Sequence, residues 1–127
     1  MNSAAILIIA LSTLLISCNK KEVPVLSTSA VTDITSESAV SGGTVTDQGS
    51  SPVISMGVCW SKESGPTISD FKTSEMAGVN QFSSDLKGLS SGTTYYVRAY
   101  ATNDEGIGYG NEISFRTSTG EAGGQNR

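Results

Sequence analysis

The sequence predicts an all-β chain folded as a two-sheet antiparallel sandwich, and three observations carry that reading. Beyond residue 17 no apolar pattern keeps a 3.6-residue period for more than a turn or two. Short apolar runs instead alternate with clusters of Ser, Gly, Pro, Asn and Asp, roughly seven times between residues 24 and 118. Within Leu89–Asn103, "LSSGTTYYVRAYATN", the alternation is strict. Tyr95, Val97, Ala99 and Ala101 fall on one face, and Tyr96, Arg98, Tyr100 and Thr102 on the other.

The first element is a leader. Residues 1–17 carry no charged side chain and are almost wholly aliphatic from Ala4 to Ile16, too short to span a bilayer comfortably but the right size for a secretory h-region. Leu15-Ile16-Ser17-Cys18 resembles the bacterial lipobox, in which the cysteine receives diacylglycerol before cleavage on its N-terminal side. The resemblance implies a lipoprotein signal peptide over 1–17, lipidation at Cys18 and a tether over 18–23. The absence of Lys or Arg at the extreme N-terminus departs from the usual pattern. An uncleaved anchor, or an ordinary secretory signal with an incidental cysteine, are the alternatives. Lys20-Lys21-Glu22 partly resembles the charged stretch that follows the cysteine in Bacteroidetes lipoproteins, so the implied location is the outer membrane, lipid-anchored, on the cell-surface or periplasmic face.

Cleavage before Cys18 leaves 110 residues, enough for one small domain. With 37% hydrophobic and 16% charged residues the chain can bury a modest core. A net charge of -4 with scattered basic residues argues against a nucleic-acid partner. There is no histidine, which removes the imidazole base, the Ser-His and Cys-His nucleophile pairs and the commonest zinc sites. We expect no catalytic residue, no metal site and no cofactor. With Cys18 assigned to lipid, Cys59 is a lone cysteine beside Trp60, and we read it as a small inert hydrophobe rather than a reactive thiol.

After the tether, Val25–Val31 reads as an irregular first strand near an edge, preceded by Pro24 where no ladder bond is needed. Ser38–Val45 is the second strand, and "DQGSSP" is a turn. Val53–Ser61, "VISMGVCWS", is the third and the centre of one sheet. Residues Lys62–Asn80 read as a long loop holding one further irregular strand, and Gln81–Leu86 as the next strand. Leu89–Asn103 follows, then "DEGIGYG" as a glycine-rich turn. Tyr109–Thr117 is the last strand, with Ile113 and Phe115 on one face. The end of the chain, 119–127, is small and polar and is expected to be disordered.

The Leu89–Asn103 stretch resembles the fibronectin type III motif in which a leucine, a tight turn and a tyrosine open strand F. Tyr95 stands six residues after Leu89, as in the tyrosine corner, so the resemblance implies that its hydroxyl bonds back to the backbone. The run from "GVCWSKESGPTISDFKT" through "GLSSGTTYYVRAYATNDEGIGYGNEISF" is similar to divergent repeats of this kind in exported Bacteroidetes proteins. The implied fold is a fibronectin type III-like, immunoglobulin-like domain over 24–118. The tryptophan such domains carry on their second strand is missing. We read Trp60 as a core residue in its place, with the small Ala99 and Ala101 leaving it volume; the alternative is an exposed platform for a sugar ring.

Three constellations could carry a site. Asn103-Asp104-Glu105-Gly106 with Asn111 and Glu112 could ligate calcium, but lacks the alternating spacing of a ligand loop and reads as a turn. Tyr96, Arg98 and Tyr100 on the outward face of their strand could bind a partner or glycan, or simply pack across the sheet. The Lys62–Asn80 loop could carry recognition. The expected function is a non-catalytic, membrane-anchored protein-interaction or adhesive module, with a glycan-binding accessory lipoprotein of an uptake system as the alternative.

Overall fold

A computed structural model describes residues 20–120. Cys18, the leader and the chain from residue 121 onward lie outside the described residues. Among the described residues there is no helix. Eight strands form: β1 (Val25–Thr28), β2 (Ala39–Asp47), β3 (Ser55–Ser61), β4 (Phe71–Lys72), β5 (Gln81–Leu86), β6 (Thr94–Asn103), β7 (Gly106–Tyr109) and β8 (Ile113–Arg116). One sheet has the order β1-β2-β5; the other has β4-β3-β6-β7, with β8 also on β6. Every pairing between strands is antiparallel. The fold is the two-sheet sandwich that the alternation predicts.

The inward faces make one core. Leu26, Ala39, Val45 and Leu86 from the first sheet meet Met56, Val58, Trp60, Tyr95, Val97, Ala99, Ala101 and Phe115 from the second. Trp60 is 6% exposed and sits opposite Val97 in the ladder. Ala99 and Ala101 stand opposite Val58 and Met56 instead. Their smallness serves sheet approach: a Cβ on Gly43 of β2 would lie 2.7 Å from the Cβ of Ala99. The two sheets therefore come close here because both carry almost no side chain.

Several strand boundaries differ from the sequence reading, and three of the differences have a local reason. The expected single strand Tyr109–Thr117 is two strands, and the expected turn "DEGIGYG" is mostly β7. Tyr100 pairs with Tyr109 and Val97 with Ile113, so one strand advances by one residue more than its partner, which is a β-bulge at Gly110–Glu112. The bulge leaves the Ala99 N–H without a carbonyl, and the buried Thr28 hydroxyl of β1 accepts it at 2.9 Å. The Thr28 N–H in turn donates to Asn111 Oδ1 at 2.9 Å. Thr28 is thereby committed to the opposite sheet, and β1 ends there rather than at Val31.

The Lys62–Asn80 stretch does contain one short strand, β4. Beyond it Thr73 leaves the regular ladder: its hydroxyl takes the Val58 N–H at 3.0 Å, while its carbonyl accepts the Tyr100 hydroxyl. Gly57 permits this, because a Cβ there would meet the Thr73 carbonyl at 2.3 Å. Thr73 and Glu75 also bond Ser84 of β5, each at 2.8 Å, and so tie the margins of the two sheets together.

Candidate functional site

Tyr96, Arg98 and Tyr100 do share the outer face of β6, as alternation requires, but the face is not open. Tyr100 is 3% exposed, and its hydroxyl is spent on the Thr73 carbonyl. Burial pushes that hydroxyl above the ordinary phenol range. Arg98 donates from Nε to the Pro66 carbonyl at 2.7 Å, and its guanidinium lies 4.0 Å above the ring of Tyr109, not between Tyr96 and Tyr100. Of the three only Tyr96, half-buried between Ser61 and Ser114, has no bond of this kind to the overlying loop.

What covers the face is the chain's own loop between β3 and β4. Pro66 is fully buried against the sheet. The loop is clamped at three further points: Glu112 accepts Ser64 Oγ at 2.8 Å and the Gly65 N–H at 2.6 Å, and the Ile68 N–H donates to the Tyr109 hydroxyl at 3.1 Å. The Gly65 N–H and the Ser64 hydroxyl hold the Glu112 carboxyl below the usual range. Beneath this loop Cys59 is buried opposite Arg98, its thiol donating to the Arg98 carbonyl at 3.6 Å. Burial raises that thiol to about 11, against a smaller lowering pull from Arg98.

In the 103–112 stretch, read as a turn rather than a calcium loop, both asparagines and Glu112 are committed internally. Asn103 Oδ1 accepts the Glu105 and Gly106 N–H groups, and its Nδ2 donates to the carbonyls of Glu22 and Gln48. Asn111 serves Thr28 and Glu112 serves the loop. Among the described residues no group of three or more His, Cys, Asp and Glu side chains is placed to hold a metal ion.

The open surface lies elsewhere, at the margin between the two sheets. A groove of about 820 Å³ is lined by Trp60, Phe71 and Tyr95, with Lys62, Glu63, Asp70 and Lys87 around it. Phe71 is 72% exposed and stacks on Trp60, ring centroids 6.0 Å apart and planes 20° apart. This pairing follows from register, since β4 sets Phe71 directly opposite Trp60. Tyr95 forms the other wall. It stacks on Phe115 in the core, and its hydroxyl accepts the Ser90 N–H at 2.8 Å, which holds the corner between β5 and β6. Sequence reading missed Phe71 because it stands alone in a polar stretch with no periodicity. Only its pairing with Trp60 gives it a place.

No protein-family model and no curated protein matches the chain. Solved structures do, and they define the class of fold: a fibronectin type III sandwich. The FN1-FN3 domains of chicken CNTN1 superpose with a TM-score of 0.62 at 16% identity, over 78% of this chain and 33% of that one. The FN3 domain of human collagen XX gives 0.56 at 20% identity, over 77% and 95%. A sensor domain of the anti-sigma factor RsgI4 from Pseudobacteroides cellulosolvens gives 0.54 at 19% identity, over 76% and 95%. At these identities the likeness establishes the fold alone.

Proposed function

We propose that the chain is a non-catalytic, membrane-anchored interaction module that binds a protein partner in the groove at the sheet margin. The observation that carries this is Phe71, a large aromatic left 72% exposed yet held in one orientation by stacking on Trp60. An oriented aromatic surrounded by charged side chains of both signs is the composition of a binding hot spot and its rim. Residues Lys62, Lys87, Glu63 and Asp70 supply that rim. Similarity to a sensor domain of a bacterial anti-sigma factor is consistent with a small sandwich presented to other molecules. Cys18 at the end of an apolar leader supplies the anchor, and the outer membrane is the proposed location.

A glycan-binding role draws less support. It requires Trp60, Tyr96 and Tyr100 as an open platform, and Trp60 and Tyr100 are buried. An enzymatic role draws less support as well, because the serine–carboxylate pairs Ser84–Glu75 and Ser64–Glu112 are spent on holding the sheet margin and the loop over β6.

The test is affinity purification of the full chain from detergent-solubilised membranes, with Phe71→Ala in parallel. A partner protein is expected with the unaltered chain, and its affinity should fall about 30-fold in Phe71→Ala, the size of a hot-spot loss of about 2 kcal/mol. Recovery of the chain always alone, or of a partner indifferent to Phe71, would reject the reading. Retention on polysaccharide by the unaltered chain would favour the glycan alternative.

A further inference from the structure

The module has two unlike ends, and the end that holds Glu22 carries four of the seven large apolar side chains exposed among the described residues. Glu22 is bolted to that end. Its carbonyl accepts the Ser50 N–H at 3.0 Å and Asn103 Nδ2 at 2.9 Å, and its N–H donates to Ser50 Oγ at 2.9 Å. Gly49, at φ 86°, lets the turn between β2 and β3 come this close, because a Cβ there would lie 2.3 Å from the Glu22 carbonyl. From Glu22 back to Cys18 the chain can reach only about 14 Å even fully extended.

Around this fastened point stand Val23 at 38% exposure, Ile54 at 62%, Val79 at 55% and Met76 at 84%. Topology brings them together. Ile54 donates to Thr102 near the end of β6, Glu75 bridges to Met56 near the start of β3, and Val53 shares a small cleft with Gly78, Val79 and Asn80. Phe71, paired with Trp60 at the far end of β3, belongs to the opposite end.

We infer that this end of the sandwich, carrying Val23, Ile54, Met76 and Val79, docks on a lipid bilayer. The inference rests on the lipid anchor at Cys18 proposed above. An anchor that short cannot hold the domain clear of the membrane, so the end it leaves from must meet the headgroup layer. Four exposed apolar side chains there lose water on contact, and the groove at the other end is turned outward to its partner. Charge plays the lesser part. Lys20 and Lys21 are outnumbered at this end by Glu22, Asp47, Asp104 and Glu105, so anionic headgroups are not preferred.

The test places a single environment-sensitive fluorophore at Ile54→Cys, Met76→Cys or Phe71→Cys in the full lipidated protein, reconstituted into phosphatidylcholine vesicles. All three positions are exposed, so the fold tolerates them, and the buried Cys59 stays unlabelled. Labels at 54 and 76 should shift to the blue, lose iodide quenching and gain quenching by nitroxide lipids, while the label at 71 stays open to iodide. Enriching the vesicles in phosphatidylglycerol should not strengthen the protection, and a marked gain would reject apolar docking. Protein that stays on vesicles with all three labels equally open to iodide would overturn the docked orientation and leave the anchor standing. Protein that fails to enter vesicles would overturn the anchor and the docking with it. Equal protection of 54 and 76 without vesicles would assign this end to a second copy of the chain and reject the bilayer.

Discussion

Among the described residues every buried side-chain nitrogen and oxygen has a hydrogen-bond partner, so the loss of a single group has a definite cost. Tyr95→Phe removes the acceptor of the Ser90 N–H at an exposed corner and should cost about 1 kcal/mol, read as a lower denaturant midpoint at unchanged slope. Trp60→Ala empties a core position and removes the support of Phe71. It should cost about 3–5 kcal/mol and weaken partner binding as well. Cys59 is inert on two counts, burial and a pKa of about 11. It should resist iodoacetamide near pH 8 in the folded protein and react only when denaturant is added; rapid labelling of the native protein would contradict this.

At the scale of elements, the interlock of β1 with the β7–β8 bulge and the clamped loop over β6 are the two devices that depart from a plain sandwich. Thr28→Val keeps shape and deletes the hydroxyl that accepts the Ala99 N–H, leaving a buried donor without a partner. The expected loss is about 1–3 kcal/mol, and the Ala99 amide should exchange with solvent faster than its neighbours. The loop over β6 responds to acid. The Glu112 carboxyl is held low in the folded state, so its clamp is fully present above the ordinary carboxylate range and fades as pH falls through its depressed value. The protection of the Gly65 amide, its exchange rate relative to the intrinsic rate at the same pH, should therefore fall on acidification. In Glu112→Gln that protection should already be lower at neutral pH and no longer vary with acid in this way.

For the molecule as a whole, the long-range pairing of a sandwich predicts slow folding, in milliseconds to seconds, with cooperative loss of both sheets in one transition. Bonds of Glu75 and Thr73 to Ser84 join the sheets at one margin, and Thr28 joins them near the other, which gives that cooperativity a physical basis. The proposed location depends on a residue outside the sandwich. Cys18→Ala should abolish labelling by a fatty-acid probe and leave a precursor that retains its leader; unchanged labelling would reject the lipobox. The sandwich itself should unfold at the same denaturant concentration in both forms.

Fold class and the inward set Tyr95, Val97, Ala99 and Ala101 were legible in the sequence, because a two-residue period on a half-buried sheet is a local property of each strand. The corner tyrosine is legible only through the resemblance of Leu89–Tyr95 to the fibronectin type III motif, and alternation alone leaves Trp60 on either face; the assembled core decides its burial. The outward set was legible only as a face, not as a surface. Whether Tyr96, Arg98 and Tyr100 see water depends on where a nineteen-residue stretch from Lys62 to Asn80 comes to rest, and no periodicity within that stretch encodes it. Tertiary structure settled it by bringing Pro66, Thr73 and Glu112 into register with β6, and it settled the groove by setting Phe71 opposite Trp60. Strand pattern is written in neighbours two residues apart, whereas these contacts join residues from 11 to 48 positions apart, whose proximity arises only when the sheet of β4, β3, β6, β7 and β8 is assembled.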